Sequence, residues 1–274
     1  MELTTTLPKP DLPVAVEALT ALIAATQRPN GEIPWSPGEK TDPWDHVEAA
    51  MGLTIGGEAA RARRAYAWLA ASQLPDGSWY AAYRDGAPLD RTRDANLSAY
   101  VAVGVCHYLL VTGDEAFAAR MWPMVRRAVD FALRLQTPEG PIHWAISPEG
   151  RVDPMALLTG SSSILMSLKC GRLLAERLGA APPGWGERQA LLVEAIRHRR
   201  HLFNMTKSRF AMDWFYPVLA GALTGSEARR RIDKYWKKFV IEGQGVRCVF
   251  DQPWVTVAET CELVLALAAM GARD

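Results

Sequence analysis

Gln27-Arg-Pro-Asn-Gly-Glu-Ile-Pro-Trp35 returns in shortened form as Gln73-Leu-Pro-Asp-Gly-Ser-Trp79, and again as Gln136-Thr-Pro-Glu-Gly-Pro-Ile-His-Trp144. Each copy follows an amphipathic stretch with helical periodicity and precedes a drier one. The Pro-x-Gly core supplies a turn. The glutamine carries an amide that can bond loop backbone, and the tryptophan can pack over a helix end. A unit that recurs in this way must stack on its neighbours to bury its apolar face. A degenerate fourth copy runs from Gln244 to Trp254.

Outward from these loops, the spacing of apolar residues predicts helices over 11–27, 44–56, 58–73, 94–112, 114–136, 157–179, 185–200, 213–224, 226–241 and 254–271. Convincing alternating strands are scarce. The helices are of two alternating kinds. In 114–136, Phe117, Met121, Met124, Val125, Ala128, Ala132 and Leu135 recur at steps of three and four, while Arg120, Arg126, Arg127 and Arg134 take other faces. That is a helix with one wet side. Leu97–Val111 and Val255–Met270 are apolar nearly all round and read as buried. Wet and dry helices in alternation predict an all-α fold, an α/α toroid of helical hairpins with an outer ring around an inner one, forming one domain over residues 1–274. The ten helices fall two short of six hairpins, and the chain stops at Gly271-Ala-Arg-Asp274. The expectation is a ring without its last hairpin, whose open edge could support a homodimer.

Composition excludes several classes. The 274 residues are 49% hydrophobic and 22% charged, with a formal net charge of +1, so no global basic field suggests nucleic acid. The basic runs Arg197–His201 and Arg229–Arg231, the latter with Lys234, Lys237 and Lys238, read as solvated outer faces. No charged and apolar leader is visible in Met1–Pro13. The longest apolar runs fall far short of the roughly 18 residues that suggest a membrane span. Cys106, Cys170, Cys248 and Cys261 are scattered, and read as reduced, buried thiols of a cytoplasmic protein.

The three loops resemble the QW-type repeats of squalene cyclase and prenyltransferase toroids. Asp42-Pro-Trp-Asp-His-Val-Glu-Ala-Ala50, Thr92–Tyr100, Met212–Val218 and Pro253–Thr260 also resemble segments of bacterial proteins labelled prenyltransferase, and this resemblance spans almost the whole chain. It implies a closed helical ring and an isoprenoid or lipid-like substrate. The Asp-x-Asp-Asp acid run of squalene-hopene cyclases is missing here. Cys106 and His107 are adjacent, so they diverge on a helix and make a poor zinc chelate; the sequence suggests no metal or cofactor. The ring architecture is also similar to that of six-hairpin glycosidases, whose working carboxylates sit near inner-helix N-termini.

All outer-to-inner loops deliver the chain to one rim. There the sequence places Asp42, Asp45 and Glu48, then Asp94 and Asn96, then Asp153, Asp213, Asp251 and Glu259. Acids at helix N-termini often only cap or complement the dipole. Glu48 and Glu259 lie inside apolar helices, where a carboxylate is costly unless it is paired or faces a polar cavity; Glu262, three residues on, could share either fate. The candidate catalytic set is therefore Asp45, Glu48, Asp94, Asp213 and Glu259. Trp44, His46, Asn96, Trp214, Tyr216 and Trp254 are candidate substrate-binding residues, whereas Trp35, Trp79 and Trp144 read as hairpin staples. The leading functional reading is an isoprenoid-handling enzyme with a rim carboxylate as acid. The alternative is a carbohydrate-active enzyme with paired rim carboxylates, and a third is a non-catalytic binding or scaffold ring.

Overall fold

The computed structural model describes residues 15–272. The first four positions of the helix expected over 11–27, and the stretch read for a leader, lie outside the described residues. Five outer helices alternate with five inner courses. The outer ones are α1 (Val16–Thr26), α3 (Ala59–Ser72), α6 (Glu115–Arg134), α8 (Trp185–His198) and α10 (Gly225–Phe239). The inner ones are α2 (Pro43–Ile55), α4 with α5 (Ala95–Ala99 and Val101–Thr112), α7 (Leu158–Arg177), α9 (Ala211–Leu219) and α11 (Val257–Ala269). The joint between α4 and α5 is Tyr100, which keeps helical angles (φ −63°, ψ −21°), so the two run on as one course. Successive inner helices touch in the order α2, α5, α7, α9, α11; α2, α5, α7 and α9 each also pack on an outer helix, and α11 packs on β7 and β8. The expected toroid of hairpins is therefore present. Ala95–Thr112 is long and apolar enough to cross a membrane by composition alone, yet it lies in the inner ring, packed against α2, α6 and α7.

The structure adds strands where almost none were expected. β1 (Ala82–Arg84) pairs with β2 (Ala87–Asp90); β3 (Arg93–Asp94), β4 (His143–Ile146) and β5 (Val152–Ala156) form a second antiparallel sheet; β6 (Val240–Ile241), β7 (Gly245–Arg247) and β8 (Val255–Thr256) form a third. None exceeds five residues, too short for an alternating pattern to register. They belong to the outer-to-inner loops and build the rim of the mouth.

The repeated loop is a joint between neighbouring hairpins. Gln73 Nε2 donates to Gly77 O of its own loop (2.9 Å) and to Met124 O of α6 (3.0 Å). Gln27 bonds Gly31 O and Arg61 O of α3 in the same way, and Gln136 bonds Gly140 O and Arg188 O of α8. The glycine then lies against backbone one turn further along that helix. A Cβ on Gly77 would meet Arg127 O at 2.2 Å, and its φ of +92° already disfavours any side chain. Gly31 and Gly140 meet the carbonyls of Arg64 and Leu191 similarly. Gln244 departs from the pattern: it sits exposed in the turn between β6 and β7. Of the three tryptophans read as staples, Trp79 is buried and donates to Leu69 O. Trp35 is exposed instead, and Trp144 reaches the mouth.

Other readings also change. Arg231 leaves the basic outer face: its guanidinium donates to Trp214 O (2.6 Å) and Asp213 O (2.7 Å). Cys106 is buried, whereas Cys261 is exposed.

Gly77→Ala is expected to destabilise the fold by about 2–4 kcal/mol, combining left-handed strain with a backbone clash. Gly38→Ala, also at positive φ but with open space around it, should cost only about 1 kcal/mol. Urea denaturation of both variants checks the difference, and equal losses would refute the joint as described.

Candidate active site

Asp42 opens α2. Its Oδ1 accepts from Asp45 N (2.9 Å), which satisfies a free helix-end amide, and its Oδ2 accepts from the Trp35 indole (2.5 Å). This cap aims Asp45 and Glu48 along the inner face of α2, one turn apart. Asp45 is exposed at the mouth. Protein packed about its carboxyl and the neighbouring Asp42 carboxylate push it up to about 7. Glu48 lies deeper and half-buried, and burial raises its carboxyl, opposed by hydrogen bonds from Trp44 Nε1 (2.8 Å) and Tyr100 OH (3.2 Å).

Across the mouth, α11 presents Glu262. Tyr216 OH donates to it, and burial pushes its carboxyl up to about 7, with the charges of Glu48, Glu259 and Asp45 adding to the rise. An aromatic brace joins the two sides. Trp44 stacks on Tyr100 with ring centres 3.8 Å apart and lies 6.4 Å from Tyr216. Glu48 and Glu262 are thus each held by a tyrosine hydroxyl from a neighbouring helix. Each of these negative charges makes ionisation of the next less favourable.

Two grooves meet at Asp45. One, of about 450 Å³, runs past Lys40, Trp44, Asp94, Asn96 and Trp144. The other, of about 410 Å³, runs past Leu22, Ile33, Pro34 and Trp35. Asp94 caps α4 through Asn96 N (2.7 Å) and Leu97 N (2.9 Å), and burial pushes its carboxyl up to about 6. It therefore works as a cap while forming part of the groove wall. Below the mouth lies a chamber of about 340 Å³ that includes Glu48, Tyr100, Tyr216 and Glu262.

Several predicted site residues lie elsewhere. His46 is wholly buried: its Nδ1 accepts from Ile33 N (3.1 Å), so the proton sits on Nε2, which faces Ala65 O at 3.0 Å. Burial drives its pKa down to about 4, so it is a neutral strut between loop and outer helix. Asp213 accepts from Thr159 N and Oγ1 and ties α9 to α7. Trp214 turns outward, donating to Arg231 O (3.0 Å) and stacking on Phe239. Trp254 is exposed and lines neither the grooves nor the chamber described above. Glu259 accepts from Thr256 Oγ1 at the start of α11 and lines none of these spaces. Glu262 takes the place expected for Glu259. The signal that could have found it was the short spacing between two acids in one apolar helix.

The ring has the architecture of six-hairpin glycosidase-like proteins. A GH63 mannosylglycerate hydrolase from Thermus thermophilus, solved with glucose, matches the fold with a TM-score of 0.74 at 11% identity, over 95% of this chain and 88% of that one. A rhamnosidase from Klebsiella oxytoca matches with 0.65 at 18% identity, over 97% of this chain and 54% of that one. No family model matches the chain. In sequence it is 50% identical over 249 residues to the MMP endo-(1,4)-3-O-methyl-α-D-mannosidase of Mycolicibacterium hassiacum, an alignment covering 91% of this chain and 69% of that protein. The chain belongs to the family of that mannosidase. This overturns the isoprenoid reading: the prenyltransferase resemblance followed the ring architecture, which the glycosidases share. The carbohydrate alternative takes its place.

Two titrations follow from the geometry. Between ordinary carboxylate values and about 7, the folded protein holds protons on Asp45 and Glu262 that the unfolded chain has released. Stability from these groups therefore falls as pH rises through that window. For His46 the sign reverses: between 6.5 and about 4 the unfolded chain binds a proton that the fold refuses. Its share of stability falls by about 3 kcal/mol as pH drops through that range. Carboxyl carbon and imidazole NMR titrations check both. A His46 that titrates near 6.5, or carboxyls that titrate near 4, would refute the placement.

Proposed function

We propose that this chain is a glycoside hydrolase that cleaves internal α-(1,4) bonds in chains of 3-O-methylated mannose. The observation that carries the reading is Asp45, which stands where two grooves meet and within the field of Glu262 on the facing helix. A bond lying over Asp45 has groove on both sides, which suits an endo-acting enzyme. Trp35 flanks one groove, while Trp44 and Trp144 flank the other. Indole faces stack well on the apolar faces of sugar rings. Membership in the mannosidase family supplies the substrate class.

Asp45 and Glu262 serve as the acid–base pair. Asp45, exposed at the junction and holding its proton close to neutral pH, donates that proton to the departing glycosidic oxygen. Glu262 accepts a hydrogen bond from Tyr216, which favours its ionised form. It takes a proton from the water whose oxygen attacks the anomeric carbon. The glycosidic carbon–oxygen bond breaks, and the two new chain ends carry the hydroxyls. Glu48 acts on both, and its negative charge helps to hold both values high.

Asp45→Asn and Glu262→Gln are each expected to lower kcat on a 3-O-methylated α-(1,4)-manno-oligosaccharide by roughly 10²–10⁴-fold without loss of fold. The pH profile of kcat/KM should be a narrow bell centred near 7, the value to which both carboxyls are pushed. Full activity in either variant refutes the pair. A wild-type protein that releases only terminal sugars refutes the endo reading.

A further inference from the structure

The chamber beneath the mouth is built in two layers. Each of the five inner courses contributes a pair of residues three positions apart, one above the other: Glu48 over Met51, Tyr100 over Val103, Ser163 over Met166, Tyr216 over Leu219, and Glu262 over Leu265; Ala220, Ala258 and Cys261 complete the lining, and the chamber opens to solvent beside Cys261 and Leu265. Every upper member is polar and every lower member is apolar. A sugar needs the upper collar, but nothing in ordinary sugar chemistry needs a floor of two methionines, a valine and two leucines. A free hydroxyl pressed among Met51, Val103, Met166 and Leu219, away from the open side at Leu265, would give up water contacts and find no polar partner there.

Ser163 gives a second, independent sign of a ligand. Its Oγ is buried, the residue being 2% exposed, and it has no hydrogen-bond partner among the described residues. A helical serine can bond the carbonyl four residues back, as Ser162 does with Leu158 O and Ser167 with Ser163 O. Ser163 instead stands with a free donor in the wall of the chamber. Buried hydroxyls rarely lack a partner without a reason.

We propose that this chamber reads methylation of the substrate. Ser163 donates to the oxygen of a sugar O-methyl group, and Met51, Val103, Met166 and Leu219 receive its methyl. The inference rests on the hydrolase reading above and deepens it. A methyl ether matches the two layers better than a hydroxyl does. Its oxygen accepts a hydrogen bond and needs to donate none, and its carbon gains from burial against apolar side chains. The flexible thioethers of Met51 and Met166 can close around a group this small.

The test compares kcat/KM on an α-(1,4)-manno-oligosaccharide carrying 3-O-methyl groups with that on the unmethylated chain of equal length. Wild-type protein should prefer the methylated chain by about 10–200-fold, the range available to one methyl-sized group in a fitted pocket. Met166→Gln and Ser163→Ala should each lower that ratio about tenfold or more. Val103→Thr keeps the shape while adding a hydroxyl, and it provides the same reading should Met166→Gln not fold. Equal rates of wild-type protein on both chains overturn the proposal, as does a ratio that survives the folded variants. If neither chain is cut, the hydrolase reading has failed on its own, and calorimetry of methyl 3-O-methyl-α-mannoside against methyl α-mannoside decides the chamber. Tighter binding of the methylated sugar that is lost in Ser163→Ala supports it, and equal affinity overturns it.

Discussion

The structure depends on the contact between a glutamine amide and two carbonyls, one in its own loop and one in the next outer helix. Gln27, Gln73 and Gln136 each make this pair of bonds. The following glycine lets loop backbone lie on helix backbone at a distance that no side chain tolerates. One hairpin is thereby locked to the next with a fixed offset. Because these three joints are alike, α2, α4 and α7 begin at the same level, and acids placed independently near inner-helix starts come to share a mouth.

Gathering acids in this way carries a cost that the surroundings offset. A half-buried carboxylate is unfavourable unless hydrogen bonds or a proton compensate it. Here both remedies are used. Asp42 and Asp94 each spend one oxygen on free helix-end amides, and the second oxygen of Asp42 accepts from the Trp35 indole. Glu48 and Glu262 accept from tyrosines of adjacent helices. Protein packed about the Asp45 carboxyl, with Asp42 beside it, makes it keep its proton to about 7. The capping acid thus helps to make the working acid.

The legible and illegible parts of the site divide along helix rotation. Trp214 and Tyr216 are two residues apart, about 200° around a helix, so both could not face the lumen. Tyr216 does, and Trp214 packs outward on α10. Glu259 and Glu262 are separated by about 300°, close enough in angle that the sequence could not choose between them. Packing of α11 on α9 turns Glu262 inward and leaves Glu259 with Thr256. His46 misleads for a different reason: its partners are backbone groups 13 and 19 residues away, which carry no side-chain signature. Trp35 looks like a staple by analogy with Trp79, but its indole is claimed by Asp42 in the longer first loop.

Periodicity and the recurring Gln-x-Pro-x-Gly loop determined the ring, the alternation of outer and inner helices, and the rim to which Asp42, Asp45, Glu48 and Asp94 belong. These are local properties: a helix face and a turn are specified by residues a few positions apart. Tertiary structure alone decided which acids are pushed toward neutrality, that Glu262 lines the chamber with Glu48, and that a polar collar lies over an apolar floor. Each of those depends on the rotation and depth of helices far apart in the chain. Only packing sets them, and with them the desolvation and mutual repulsion that turn a ring of acids into a site.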